Sequence, residues 1–172
     1  LLVAGGAAND ASFLWWAIRP ALSYPTLELR ICDACTRVED TLAIAALYRC
    51  LVRLLIRRPE LAPDWTPFTR RLIDENRWRA KRFGIDAAFV SEDGSPPRTC
   101  RAVAEELLAY VADDARVLGC EDELVRVRTL LDEGTSAHAQ VKLYRAFRAR
   151  GDTLSKAMHS VVDWLIAATL PT

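Results

Sequence analysis

Along Thr26-Leu-Glu-Leu-Arg-Ile-Cys32, apolar and polar side chains alternate, the period-two mark of a β-strand. Successive side chains of a strand face opposite ways. Leu27, Leu29 and Ile31 therefore share one face, while Glu28 and Arg30 share the other, roughly 7 Å apart. The apolar face belongs in a core. The acid and guanidinium opposite it admit two readings. In open water they make a weak exposed ion pair of little consequence. Lining a cleft, they must be neutralised, because desolvating an unpaired ion costs several kcal/mol. A metal ion bound to anionic phosphate satisfies both groups. The carboxylate ligates Mg²⁺ or Mn²⁺ and the guanidinium clamps phosphoryl oxygens in bidentate fashion. Spacing alone does not choose between the two readings.

A second basic cluster is Asn76, Arg77 and Arg79, with Trp78, Lys81 and Arg82 beside them. On a helix, Arg77 and Lys81 share a face at four residues apart, as do Asn76 and Arg79 at three. Such a face can border a nucleotide or a substrate carboxylate, or pair with the acidic stretch that follows it. Asp33, Arg37 and Asp40 read as organisers of the turn between strand and helix through capping and salt bridges. His138 reads as a solvent-facing or capping residue at a helix start. Cys32-x-x-Cys35 stands without a second pair or a nearby histidine, short of the four ligands of a structural zinc site.

The elements that must position these groups follow from periodicity and punctuation. The aromatic, β-branched run Ser12–Arg19 is expected to be extended, with Pro20 and Pro25 bracketing a loop before the Thr26–Cys32 strand. From Val38 to about Ile56 the apolar spacing turns helical, with Thr36, Glu39 and Asp40 suiting a helix start. Pro59, Pro63 and Pro67 mark a loop before a helix over about Phe68–Arg82, which Gly84 ends. Ile85–Val90 reads as a short strand and Ser91–Pro97 as the turn after it. Helices follow over about Arg98–Leu118, Glu121–Leu131, Ala137–Arg150 and Leu154–Ala168, separated by Gly119, Gly134 and Gly151. The fold class is α+β, a few antiparallel strands early and a predominantly helical body after.

Composition narrows the function classes. The chain is 51% apolar over 172 residues, too hydrophobic for disorder and long enough for a real core. Its 23 basic and 23 acidic residues cancel, so no global field points to nucleic acid or an anionic membrane. Charge is uneven locally: residues 83–135 hold twelve acidic and five basic side chains, most simply a solvated face. No apolar run approaches the ~20 residues of a membrane span. Five cysteines, an odd number, read as reduced thiols of a cytoplasmic protein. The first residue is Leu1 and the lone methionine is Met158, as expected of the C-terminal part of a longer protein.

Several motifs in order resemble one family. Trp15-Trp-Ala-Ile-Arg-Pro20, Pro25-Thr-Leu-Glu-Leu-Arg-Ile-Cys-Asp33 and Thr36-Arg-Val-Glu-Asp40 are similar to stretches of the YbdK-type carboxylate–amine ligases, also called type 2 glutamate–cysteine ligases. The likeness continues through Glu75–Gly84, Gly134-Thr-Ser-Ala-His-Ala-Gln140 and Val161-Val-Asp-Trp-Leu165, nearly the whole chain. The resemblance implies that residues 1–172 are the C-terminal part of a single glutamine-synthetase-like ligase domain. It implies ATP-dependent joining of a glutamate-like carboxylate to a cysteine-like amine through an acyl phosphate, with ATP and Mg²⁺ or Mn²⁺ as cofactors. It makes Glu28 a metal ligand, Arg30 a catalytic phosphate contact and Arg19 a second anion contact from an adjacent strand. Asn76, Arg77 and Arg79 become nucleotide-binding candidates. The chain departs from the family at Ala17, where relatives often carry an acid, and at His138 and Ala139, where many have Asp and Arg. With the remaining metal carboxylates expected upstream, this piece alone is expected to be inactive. The acceptor amine, the metal and any homo-oligomer stay open, and a non-catalytic helical interaction domain is the alternative.

Overall fold

The computed structural model describes residues 1–62 and 66–169. Its contacts divide the chain into two compact units, Leu1–Ala34 and Cys35–Thr172.

In the first unit, β1 (Ile18–Pro20) and β2 (Leu27–Leu29) form an antiparallel pair in the register Ile18↔Leu29, Arg19↔Glu28, Pro20↔Leu27. The Ala21 amide donates to the Thr26 carbonyl at 2.9 Å and closes the hairpin. The expected strand at Thr26–Cys32 is present but short, and its apolar face is not buried in a core, since Leu27 and Ile31 are 47% and 51% exposed. The extended run expected from Ser12 is corrected to a 3-10 turn over Ala11–Phe13. The cause is local: Asp10 Oδ1 accepts the Ser12 amide at 2.6 Å and turns the backbone before any strand can start. Pro20 ends β1 rather than opening the loop, a place where a strand tolerates a missing N–H.

The second unit is helical. α1 (Val38–Arg57) puts Ala43, Ala46, Cys50 and Leu54 at three- and four-residue spacing into the core. α2 (Pro67–Phe83) begins with Pro67 at its first position, behind a Thr66–Thr69 capping box. Pro63, expected in the loop before it, lies outside the described residues. β3 (Ala88–Phe89) pairs antiparallel with β4 (Arg98–Thr99). α3 (Cys100–Tyr110), α4 (Ala112–Leu118), α5 (Glu121–Glu133), α6 (Ser136–Ala149) and α7 (Leu154–Thr169) complete the unit.

The core joins α1 to Leu108, Val111, Ala115, Cys120 and Leu124 from α3, α4, α5 and their junctions. Two expectations change here. The single helix over Arg98–Leu118 is broken at Val111, where φ and ψ are −94° and 1°. Val111 is fully buried, and no glycine or proline announces the break. Asp114 and Ala115, just beyond the break, are buried as well. Arg98 and Thr99 belong to β4 instead, where the Thr99 hydroxyl caps α3 by accepting the Ala102 amide at 3.2 Å. The remaining helices match their expected spans within about two residues at either end. Among the described residues, no helix is long and apolar enough to cross a membrane.

Among the described residues of this unit, two carboxylates are buried. Asp40 accepts from Arg126 Nε at 2.7 Å, across 86 residues. It thus joins α1 to α5, beyond the local turn the sequence suggested. Asp114 has no exposed surface and is gripped by Arg53 and by Arg57, whose Nη2 lies 2.8 Å from Asp114 Oδ2. Their hydrogen bonds and charge, Arg57's first, hold its carboxyl below the usual carboxylate range against desolvation. Cys50 and Cys120 meet in the core with sulfurs 3.6 Å apart, and burial pushes the Cys50 thiol up to about 12. Among the described residues the cysteines form no disulfide.

Candidate active site

The hairpin register places Arg19 directly opposite Glu28. Arg19 Nη2 donates to Glu28 Oε2 at 2.6 Å, and Arg30 Nη1 donates to Oε1 at 3.1 Å. One carboxylate thus sits between two guanidinium groups, leaving one positive charge in excess. Arg30 also lies over the Trp15 ring, 4.5 Å from its centroid, and Arg19 donates from Nη1 to the Ser12 carbonyl at 2.7 Å. These contacts hold both arginines in place without consuming the carboxylate. The arginine side chains are 17% and 24% exposed and Glu28 is 42% exposed. The cluster is neither splayed into bulk water nor sealed off, and a ligand can reach the acid.

Chemically, two guanidinium forks around one carboxylate form a site for phosphoryl or carboxylate oxygens. A single carboxylate suits Mg²⁺ where phosphate oxygens and water complete the shell. Among the described residues, no group of three or more His, Cys, Asp or Glu side chains is placed to hold a metal ion. Cys32-x-x-Cys35 accordingly forms no such group.

The helix-borne candidates divide. Asn76 holds the β3 segment through a reciprocal pair, Nδ2 donating to the Val90 carbonyl at 2.8 Å and Oδ1 accepting the Val90 amide at 2.9 Å. Arg79 donates from Nη1 to the Ala88 carbonyl at 3.2 Å and pairs with Glu75 at 2.8 Å. Both side chains tie α2 to the small hairpin. The Arg77 side chain is exposed and makes no ion pair or hydrogen bond among the described residues. Asn76→Ala is expected to destabilise the protein by about 1–3 kcal/mol in chemical denaturation, because Val90 loses both partners at a half-buried position.

A second feature lies within the helical unit, a half-open cleft of about 110 Å³ where the starts of α1 and α6 meet the end of α5. Thr36 and Ser136 hydroxyls touch across it at 2.5 Å, and Gln140 Nε2 donates to Ser136 Oγ at 3.0 Å. The Asp40–Arg126 pair forms one wall and Trp164 another. His138 caps α6, its Nδ1 2.9 Å from the Thr135 hydroxyl, so the capping reading of that residue holds. Gly134 bends the chain into the cleft at φ +93°, where an added Cβ would sit 3.0 Å from His138 Cβ. No local sequence pattern marks this cleft, because Thr36 and Ser136 lie a hundred positions apart.

A profile of the glutamate–cysteine ligase family 2 matches residues 3–159. A Rhodospirillum rubrum protein named "Putative glutamate–cysteine ligase 2" is 45% identical over 99% of this chain and 44% of its own length. Proteins with the same name from Bradyrhizobium diazoefficiens and Sorangium cellulosum are 42% and 38% identical, each over 96% of this chain. The chain spans less than half the length of these relatives, 37% and 42% of the last two.

Proposed function

Because the chain belongs to the glutamate–cysteine ligase family 2, we propose that it forms part of an ATP-dependent carboxylate–amine ligase with a glutamine-synthetase-like fold. The observation that carries this reading is the Glu28 carboxylate held between Arg19 and Arg30 on paired strands.

In the proposed reaction a glutamate-like carboxylate oxygen attacks the γ-phosphorus of ATP. The bond to the bridging oxygen breaks, ADP leaves, and an acyl phosphate remains. The amine of a cysteine-like substrate then attacks the acyl carbon. Phosphate departs with the carbon–oxygen electron pair, and the amine loses its proton. Both steps crowd anionic oxygens together, so positioned cations are the main requirement. Arg30, pinned on Trp15, and Arg19, anchored at Ser12, supply them with little reorganisation when charge shifts. Each keeps N–H donors beyond those spent on Glu28, and the excess positive charge of the cluster favours an anionic ligand.

Glu28 would be the carboxylate that holds a divalent ion, Mg²⁺ or Mn²⁺, which when bound would supply positive charge against the phosphate oxygens. Further ligands would come from the nucleotide and from elsewhere in a ligase of the relatives' length. Of the three α2 candidates, Arg77 has uncommitted donors for a nucleotide, while Asn76 and Arg79 position the helix that carries it.

The acyl-phosphate route has a direct test. With substrate carboxylate labelled in ¹⁸O, a ligase of full family length is expected to deliver one labelled oxygen to inorganic phosphate in each turnover. Unlabelled phosphate would reject the route.

A further inference from the structure

We propose that Cys50 and Cys120 are a reversible redox pair, joined under oxidation by a disulfide that fastens α1 to the start of α5. Their sulfurs already meet at 3.6 Å, across 70 residues of chain. A disulfide bond is about 2.05 Å long, so closure asks for roughly 1.5 Å of approach. The two positions differ in how readily they can supply it. Cys50 lies within the 20-residue α1, with helix on both sides, and has no exposed surface. Cys120 lies outside either helix, at the junction of α4 and α5, directly after Gly119 at φ +61°. It is 5% exposed, so the junction brings its sulfur to the edge of the core. Asp40 and Arg126 already tie the same two helices at 2.7 Å, and the disulfide adds a second tie in the native register.

The surroundings set the chemistry of the reduced pair. Both cysteines belong to the apolar core with Leu54, Leu108, Val111 and Leu124. Burial first, and then the hydrogen bond with Cys120, pushes the Cys50 thiol up to about 12, so at neutral pH it stays protonated. In the closed core the pair is therefore inert, because the thiolate is the reactive form. Oxidation starts at Cys120 when the junction opens. Hydrogen peroxide passes one oxygen to the Cys120 sulfur, which becomes a sulfenic acid, and its other oxygen leaves as water. The Cys50 sulfur then attacks the Cys120 sulfur. The sulfur–sulfur bond forms as the sulfur–oxygen bond breaks, and the departing hydroxide takes the Cys50 proton as a second water. Two thiols and one peroxide thus become one disulfide and two waters. A dithiol reductant reverses the link by exchange.

The test uses the complete 172-residue chain without ATP or divalent metal, so its outcome is independent of the ligase reading. The folded protein is treated with hydrogen peroxide, remaining thiols are blocked with iodoacetamide, and tryptic peptides are read by mass spectrometry. The expected product joins residues 50–53 to residues 117–126, two hydrogens lighter than the sum of the peptides. The thermal unfolding midpoint of the oxidised protein should rise by roughly 5–10 °C, since the bond closes a loop of 70 residues in the unfolded chain. Dithiothreitol should return it to the starting value, and Cys120→Ala should abolish both the linked peptide and the rise. The proposal is overturned if Cys50 and Cys120 stay reduced, are linked to other cysteines, or join only when peroxide is added in denaturant. Each of those results would leave the two as packing residues of the core. A linked protein whose midpoint is unchanged or lower would overturn it as well.

Discussion

Glu28→Gln, made in a ligase of the relatives' full length, is expected to cut metal-dependent ATP consumption by about 10²- to 10³-fold. The substitution preserves shape and keeps one oxygen that can accept from Arg19 or Arg30. What it removes is the negative charge that would hold a divalent cation against the phosphates. Because the side chain is 42% exposed, the accompanying loss of stability should stay within about 1 kcal/mol. Activity and folding thus separate. ADP release under saturating substrates, read beside the thermal unfolding midpoint, checks both. ATP affinity measured without metal should not fall, since the two guanidinium groups are then opposed by no acid. Turnover equal to that of the parent enzyme would reduce Glu28 to a structural ion pair and favour the helical interaction domain instead.

Arg53→Met with Arg57→Met is expected to cost about 3–5 kcal/mol of stability at neutral pH. The double substitution keeps much of the apolar stem of each side chain but strands Asp114, which has no exposed surface, as an uncompensated buried charge. Either substitution alone should cost less, because the remaining arginine still reaches the carboxylate. Asp114→Asn should also cost less, since Arg53 and Arg57 are 35% and 43% exposed and can turn to water.

The pH dependence gives a second readout of opposite sign. In the parent, the Asp114 carboxyl is held low by Arg57 and Arg53. Its contribution is therefore complete above the unfolded value of about 3.9 and is lost as pH falls through the lower folded value. In the double variant, burial without a partner raises the folded value above the unfolded one. Its stability should then increase as pH falls through that raised value. Denaturant midpoints of the two proteins should converge on acidification. A gap that widens toward low pH would show that Asp114 is not the group responsible.

Some of this was legible before any coordinates. The alternation at Thr26–Cys32 put Glu28 and Arg30 on one face because strand geometry depends only on neighbouring residues. The helices ending at Gly84, Gly119 and Gly134 were legible for the same reason, since apolar spacing and left-handed stops act within a turn or two. Local signals misled where two could compete. Asp10 turned a run that its aromatic residues suggested was extended. The break at Val111 falls where the sequence holds no helix-breaking residue, at a fully buried position of the core shared with α1.

The sequence by itself determined the kinds of element, the acid and guanidinium on one strand face, and a family likeness covering nearly the chain. Tertiary structure alone decided that Arg19 lies across from Glu28, that Asn76 and Arg79 are spent on the β3 backbone, and that Asp114 answers to two arginines on α1. It alone brought Arg37 into one cleft with Glu133. The division has a physical cause. Helix and strand periodicity are set by backbone geometry over a few residues, whereas a charge's partner depends on which distant segments the core draws together.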